Sequence, residues 1–159
     1  GLFIFNLDKE GDGTIECESY GPSIDRISQK QQTSGPFNAF GTHPIVGDGW
    51  NCKSIDISKG KGVHQMRAFM PSLDHRGATP PMISELTIGV EYHGIEEISV
   101  QAGTFSCHHF SYIDDIGFND GVKHPPYDIW VTEEDYVCVK AEVTGYMQTY
   151  YELESIEYD

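Results

Sequence analysis

The sequence predicts an all-β fold, a single domain in which about ten strands form a curved antiparallel sheet that closes into a barrel or half-barrel. Apolar and polar residues alternate with a period of two along most of the chain, whereas helical periodicity is almost absent. Clusters of turn-forming residues interrupt this alternation, and the 159 residues include 17 Gly and 8 Pro. So many strands must twist and curl, because a flat sheet would leave its edges exposed. No repeat or linker is visible, so residues 1–159 are expected to share one core.

The first half of the chain predicts five strands with turns between them. They cover Leu2–Leu7, Thr14–Tyr20, Ser23–Gln32, Trp50–Ile57 and Val63–Met70. The third and fourth are separated by a long loop over Thr33–Gly49, and a second long loop covers Pro71–Pro81. Both loops are rich in Gly and Pro, which favour turns over strands.

The second half shows an inward and an outward face most clearly in the strand predicted over Met82–His93. The inward set is Met82, Leu86, Ile88, Val90 and Tyr92, and the outward set is Glu85, Thr87, Glu91 and His93. Further strands are predicted at Glu96–Val100, Thr104–Ile113, Tyr127–Thr132 and Tyr136–Tyr158, with a third long loop at Asp114–Pro126. Gly145 predicts a bend or bulge that lets the long final strand curve.

The acidic composition indicates which classes of binding partner the protein disfavours. Ten Lys and Arg face 25 Asp and Glu, a net charge of −15, and such a surface repels phosphate backbones and anionic lipid headgroups. No nucleic-acid or membrane partner is therefore expected. No apolar run approaches the length of a membrane span, and the opening Gly-Leu-Phe-Ile-Phe is too short for a signal segment. We expect a cytoplasmic protein, with periplasmic export or secretion left open if an N-terminal segment precedes Gly1.

Four widely spaced cysteines, Cys17, Cys52, Cys107 and Cys138, each lie in a strand-like stretch. We interpret them as buried reduced thiols, which pack as small hydrophobic residues. Two disulfides remain the alternative for an exported protein.

The segment Asp8–Glu16 imitates a calcium-binding EF-hand loop, with acids at positions 1, 3, 5 and 9 and Gly at position 6. Position 12, which should be Glu, is Ser19. The flanking residues alternate like strands, whereas an EF-hand needs helices. The sequence therefore favours a β-hairpin whose tip uses Gly-Asp-Gly.

The last 70 residues or so contain an Ala-Gly-Thr-Phe turn, Ala102–Phe105, and a tryptophan at Trp130. With these features the region resembles uncharacterised bacterial proteins that have a LolA-like, lipocalin-related half-barrel. The resemblance implies a curved sheet that encloses a hydrophobic ligand. It transfers no catalytic residue.

Seven histidines show no zinc-type spacing on a helix or a strand, and adjacent His108 and His109 should point to opposite faces. No metal site is predicted. Phosphate-binding and dinucleotide fingerprints are also absent from the sequence, so no cofactor is predicted either.

The three long loops contain the candidate site, because long loops on a small β scaffold often bind ligands. His124 or His75 would act as general base, Asp128 or Asp74 as its partner, and Tyr127 or Arg76 would stabilise an oxyanion. The predicted ligand contacts are Trp50, Trp130, His43 and Phe40. Each also has a structural interpretation, in a turn, a surface ion pair or the core. Trp130 and Asp128 are two residues apart and should lie on one face of their strand, and Tyr127 should lie on the opposite face.

Two functions follow from this interpretation. The favoured one is a cofactor-free isomerase, lyase or cyclase that acts on a small apolar or aromatic molecule by acid–base catalysis. The alternative is a carrier that binds a similar hydrophobic ligand without chemistry. Titratable groups in the loops favour the enzyme, because a carrier needs few of them. A homodimer is left open.

Overall fold

The computed structural model describes residues 2–21, 24–39, 47–70, 83–115, 127–144 and 149–157. More than half of these residues lie in strands, so the all-β prediction is confirmed. The strands are β1 (Leu2–Leu7), β2 (Gly13–Gly21), β3 (Ile24–Thr33), β4 (Asn38–Ala39), β5 (Gly62–Met70), β6 (Ser84–Val100), β7 (Gly103–Asp115), β8 (Tyr127–Thr132), β9 (Cys138–Val143) and β10 (Thr149–Glu152). The described residues also contain one helix of four residues, α1 (Asp48–Asn51), followed by two 3-10 turns at Cys52–Ser54 and Ile57–Lys59.

The strands form two sheets. The small sheet has the order β1-β2-β3, and the large sheet has the order β10-β9-β8-β7-β6-β5-β4. Neighbouring strands are antiparallel, except for a two-residue parallel pairing of β4 with β5. Within the described residues, β4 and β10 do not pair with each other, so no closed barrel forms among these strands.

The segment Trp50–Ile57 was predicted as a strand, and this prediction is wrong. It forms the end of α1 and the 3-10 turn that follows. Cys52 and Ile55 are its buried positions, and their spacing of three residues is that of a helical turn. The alternation of apolar residues was therefore misleading, because Trp50 points outward and is 66% exposed.

Two other boundaries differ from the prediction. The strands expected at Met82–His93 and Glu96–Val100 correspond to one strand, β6 (Ser84–Val100), which continues through a β-bulge between Tyr92 and Gly94, and Met82 lies outside the described residues. The final segment is not a single curved strand, because β10 pairs antiparallel with β9. The chain therefore reverses direction between β9 and β10, and Gly145 itself lies outside the described residues.

The EF-hand-like segment forms the tip of the β1–β2 hairpin, as predicted. The Asp8 carboxylate accepts the backbone N–H groups of Glu10 at 3.0 Å and Asp12 at 2.9 Å. The Asp12 carboxylate accepts the N–H of Gly35 at 2.8 Å. These acids therefore close the turn and join it to the segment after β3.

The larger of two hydrophobic clusters in the described residues, which we call the core, lies between α1 with its 3-10 turns and one face of the large sheet, the inner face. Cys107, Trp130 and Val139 form the smaller cluster. The sheet side chains of the core are Met66, Ala68, Ile88, Val90, Tyr92, Phe110, Tyr112, Tyr127, Ile129, Val131, Cys138, Ala141 and Val143. On the opposite side, Arg67 of β5 joins the two sheets by donating to the Thr33 hydroxyl of β3 at 3.2 Å. It also donates to the Ser34 carbonyl at 2.6 Å and pairs with the Glu85 carboxylate of β6. None of the helices in the described part of the chain has the length and apolar character needed to cross a bilayer.

All four cysteines are buried free thiols. Burial raises the pKa of Cys52 and Cys138 to about 12 and that of Cys107 to about 11. Burial also raises the pKa of Cys17. The interpretation of packed, reduced thiols is therefore confirmed, and thiolates, the reactive form, are strongly disfavoured.

Candidate metal centre on the outer face of the large sheet

The structure describes four of the ten predicted site residues. The other six, Phe40, His43, Asp74, His75, Arg76 and His124, lie outside the described residues. The prediction that the three loops share one site therefore stays a prediction.

The four described residues do not meet at one place. Asp128 and Trp130 lie on what we call the outer face of the large sheet, where Trp130 is buried against Cys107 and Val139, whereas Tyr127 points into the larger cluster as the parity predicted. The Tyr127 hydroxyl donates to the buried Asp48 carboxylate at 3.1 Å. Trp50 lies on α1, on the inner side of the sheet.

The outer face has a dense row of polar and aromatic side chains on β6 to β10. They are Glu91, His93, Glu96, His109, Ser111, Asp128, Trp130, Lys140, Glu142, Tyr150 and Glu152. They alternate along the strands with buried inner-face residues such as Phe110 and Ile129. Lys140 is the only Lys or Arg in the sequence of these five strands.

His109 is the centre of this row. Its Nε2 lies 3.1 Å from Asp128 Oδ1, and its Nδ1 lies 2.9 Å from Glu96 Oε1. Its ring is stacked on Trp130, with centroids 4.4 Å apart and planes 17° apart. The Trp130 indole N–H also donates to Glu96, so one carboxylate fixes both rings.

His93 reaches the same place because of the bulge in β6. Gly94 has a φ of +105°, a conformation that favours glycine. The bulge aims His93 at β7, where its Nε2 lies 2.7 Å from Ser111 Oγ and its ring lies 4.4 Å from that of His109. Histidines on two strands are thus brought together.

Asp128 receives hydrogen bonds from His109 and from the Ser111 hydroxyl. The bond from His109 is the larger cause, and together they hold the pKa of Asp128 below its usual range despite partial burial. Asp128 is therefore a carboxylate near neutral pH, with oxygens suited to accept hydrogen bonds or bind a cation.

His93, His109 and Asp128 each offer one ligand atom, and these atoms all lie within 4.8 Å of one another. A tetrahedral zinc ion with bonds of about 2.0–2.2 Å holds neighbouring ligand atoms about 3.4 Å apart. The widest pair would have to approach by no more than about 1.4 Å, a distance within reach of side-chain rotation.

The inner face has its own polar groups, but they are enclosed by the core. His108 lies opposite His109, as predicted, with its Nδ1 2.9 Å from the Tyr92 hydroxyl. Burial lowers the pKa of His108 and raises that of Tyr112 well above its usual value. The Tyr112 hydroxyl donates to the Asp48 carbonyl at 3.0 Å. We therefore assign these groups to the packing of α1 against the sheet.

Sequence reasoning missed His93, His109, Ser111 and Glu96 as site residues. His93 lies two residues from the outward-facing Glu91, which indicated that His93 also faces outward. Asp128 and Trp130 are likewise two residues apart and therefore share a face. The pairing of β6, β7 and β8 could not be deduced from these local patterns.

Comparison of the chain with protein-family models, with curated proteins and with solved structures finds no match in any of the three.

Proposed function

We propose that the protein binds a divalent transition-metal ion of the zinc type through His93, His109 and Asp128. The observation that carries the proposal is the convergence of two imidazoles and one carboxylate within 4.8 Å. Two histidines with one carboxylate form a ligand set typical of catalytic zinc and non-haem iron sites. Magnesium and calcium are less suited, because they prefer all-oxygen ligands.

The residues behind these ligands support the proposal. A histidine that binds a metal through one nitrogen usually donates its other N–H to a carboxylate or carbonyl. With its Nε2 on the metal, His109 would keep Nδ1–H for Glu96 at 2.9 Å. The Ser111 hydroxyl would keep its hydrogen bond to Asp128. These two hydrogen bonds would fix the orientations of His109 and Asp128, the side chains that bind the metal.

The charge of the outer face also favours a cation. Five carboxylates lie in its polar row, with Lys140 over the Trp130 ring at 4.8 Å; a sixth carboxylate on this face, Glu85, is paired with Arg67. The five carboxylates of the row are Glu91, Glu96, Asp128, Glu142 and Glu152. Their combined field attracts a divalent ion and disfavours anions.

Zinc titration by isothermal calorimetry tests the proposal. We expect one saturable site per chain in the metal-free protein. His109→Ala should weaken zinc binding by more than about a hundredfold, because changes behind a ligand already cost 10–100-fold. His64→Ala is the matched control, since His64 is on β5 and bonds the Gly60 carbonyl at 3.1 Å. Equal affinity in both variants would contradict the proposal. The cluster would then be an ion-pair network without metal.

The acid–base enzyme and the hydrophobic-ligand carrier stay predictions, as does the half-barrel that would enclose the ligand. They depend on His75, His124 and their loops, which lie outside the described residues.

A further inference from the structure

We infer that the outer edge of β10 binds an extended peptide as a further strand of the large sheet, and that this peptide alternates apolar residues with Lys or Arg. Three features of the molecule support this inference. They are the backbone groups at the edge of β10, a groove beside that edge, and the exposure and charge of the side chains along it. None of them involves the proposed metal ligands.

The strand β10 ends the large sheet, and β9 is the only strand that pairs with it among the described residues. Just after β10, the Leu153 N–H donates to the Val139 carbonyl of β9 at 2.9 Å. Because residues of an antiparallel strand bond alternately to one side and the other, Tyr151 also bonds towards β9. Tyr150 and Glu152 then direct their N–H and C=O groups away from β9. A segment of another chain can bond these groups by pairing as a strand.

A groove with a volume of about 450 Å³ lies beside β10. It is lined by Gln101, from the turn between β6 and β7, and by residues 150–155. Tyr150 is paired with Glu142 of the outer face, whereas Tyr151 packs against the core. Since both tyrosines line the groove, it follows the edge of the sheet and is not confined to one face. Space for the side chains of an added strand is therefore present at this edge.

The two faces of β10 favour different residues in the added strand. On the inner side, Tyr151 is only half-buried, so an apolar residue opposite it would remove more of its ring from water. On the outer side, Glu152 is exposed. Residues directly opposite each other in a sheet share a face, with Cβ atoms about 4.5–5.5 Å apart. A Lys or Arg opposite Glu152 would therefore reach its carboxylate, and the favoured peptide alternates apolar and basic residues.

The charge of the chain around β10 also favours a cationic peptide. Residues 145–159 contain four acidic residues and no Lys or Arg, and one of the acids, Glu154, lines the groove. Lys140, opposite Glu152 on β9, lies 3.7 Å from the Glu142 carboxylate and over the Tyr150 ring at 5.5 Å. With a net charge of −15 for the whole chain, the field at this edge attracts Lys and Arg and repels acidic peptides.

Fluorescence anisotropy with short synthetic peptides tests the inference on the full chain. The probe is a capped, fluorescein-labelled peptide of six residues that alternates Val and Lys, titrated in EDTA at about 0.15 M salt to screen long-range attraction. We expect saturable binding, with the corresponding Val and Glu peptide at least about tenfold weaker. Two further probes keep the lysines but have N-methyl groups on the backbone nitrogens of either the Lys or the Val residues. One of the two should bind at least about tenfold more weakly, because it loses the backbone hydrogen bonds to β10.

A pair of matched variants locates the binding. Glu152→Gln should weaken binding of the Val and Lys probe by about two- to fivefold, the range for an exposed ion pair. Glu10→Gln is the control, because it removes the same charge from an exposed position in the β1–β2 turn of the small sheet. This variant should bind the probe like the unmodified protein.

Three results would overturn the inference. Absence of saturable binding would exclude the peptide site. Equal binding of the N-methylated and unmethylated Lys probes would show attraction to the acidic surface without strand pairing. Equal effects of Glu152→Gln and Glu10→Gln would remove the site from β10. Because EDTA keeps the chain free of metal, each of these results is independent of the zinc titration.

Discussion

Replacing Tyr127 by Phe isolates one buried hydrogen bond between β8 and α1. The Tyr127 hydroxyl donates to Asp48 Oδ2 at 3.1 Å, and both residues are buried. Burial raises the pKa of Tyr127, so its hydroxyl stays protonated and able to donate at neutral pH. Phe retains the ring stacking on Tyr112, where the centroids are 4.8 Å apart. The substitution therefore removes a donor from a buried carboxylate without opening a large cavity.

We expect Tyr127→Phe to lower the free energy of unfolding by about 1.5–3 kcal/mol, the range for hydrogen bonds to charged groups. For a chain of this size, that corresponds to a fall in Tm of about 3–12 °C. Urea denaturation followed by circular dichroism measures the change. Tyr150→Phe is the control, because Tyr150 is 56% exposed, and it should change stability by less than about 0.5 kcal/mol. A loss of less than about 0.5 kcal/mol in Tyr127→Phe would refute the reasoning.

Three further predictions concern the metal ligands and the thiols. Glu96→Gln should lower zinc affinity by about 10–100-fold in calorimetry, and an affinity equal to that of the control Glu97→Gln, at the next position in β6, would contradict its role behind His109. Gly94→Ala strains a φ of +105°, so it should cost about 1–3 kcal/mol of stability and weaken zinc binding by misplacing His93. Gly60→Ala, at a φ of +86° with open space around it, should cost stability but leave zinc affinity unchanged. The four buried cysteines should resist Ellman's reagent at pH 8 in the folded protein and all react in denaturant; fast labelling of the folded chain would contradict their enclosure.

The period-two pattern predicted the faces of single strands well. It placed Asp128 and Trp130 on one face and Tyr127 on the other, and it separated His108 from His109. These predictions depend only on the alternation of side chains within a strand, which a sequence displays directly.

The wrong strand prediction and the missed side-chain cluster have different physical causes. Trp50–Ile57 alternates like a strand, yet its buried positions are three residues apart because it covers the core as helical turns. The cluster of His93, His109 and Asp128 depends on pairing between strands that are distant in sequence. It also depends on a bulge at Gly94 that shifts the register of β6. A one-residue change of register would turn these side chains to other neighbours, so local patterns could not locate the site.

X-ray absorption at the zinc edge, recorded on the zinc-loaded protein, tests the metal centre most directly. The account predicts nitrogen and oxygen neighbours at about 2.0–2.2 Å with the outer-shell scattering of two imidazoles, and the imidazole signal should fall in His109→Ala. Sulfur neighbours at about 2.3 Å would place the ion on the cysteines instead. Either that result or a shell of oxygens without imidazole would contradict binding by His93, His109 and Asp128.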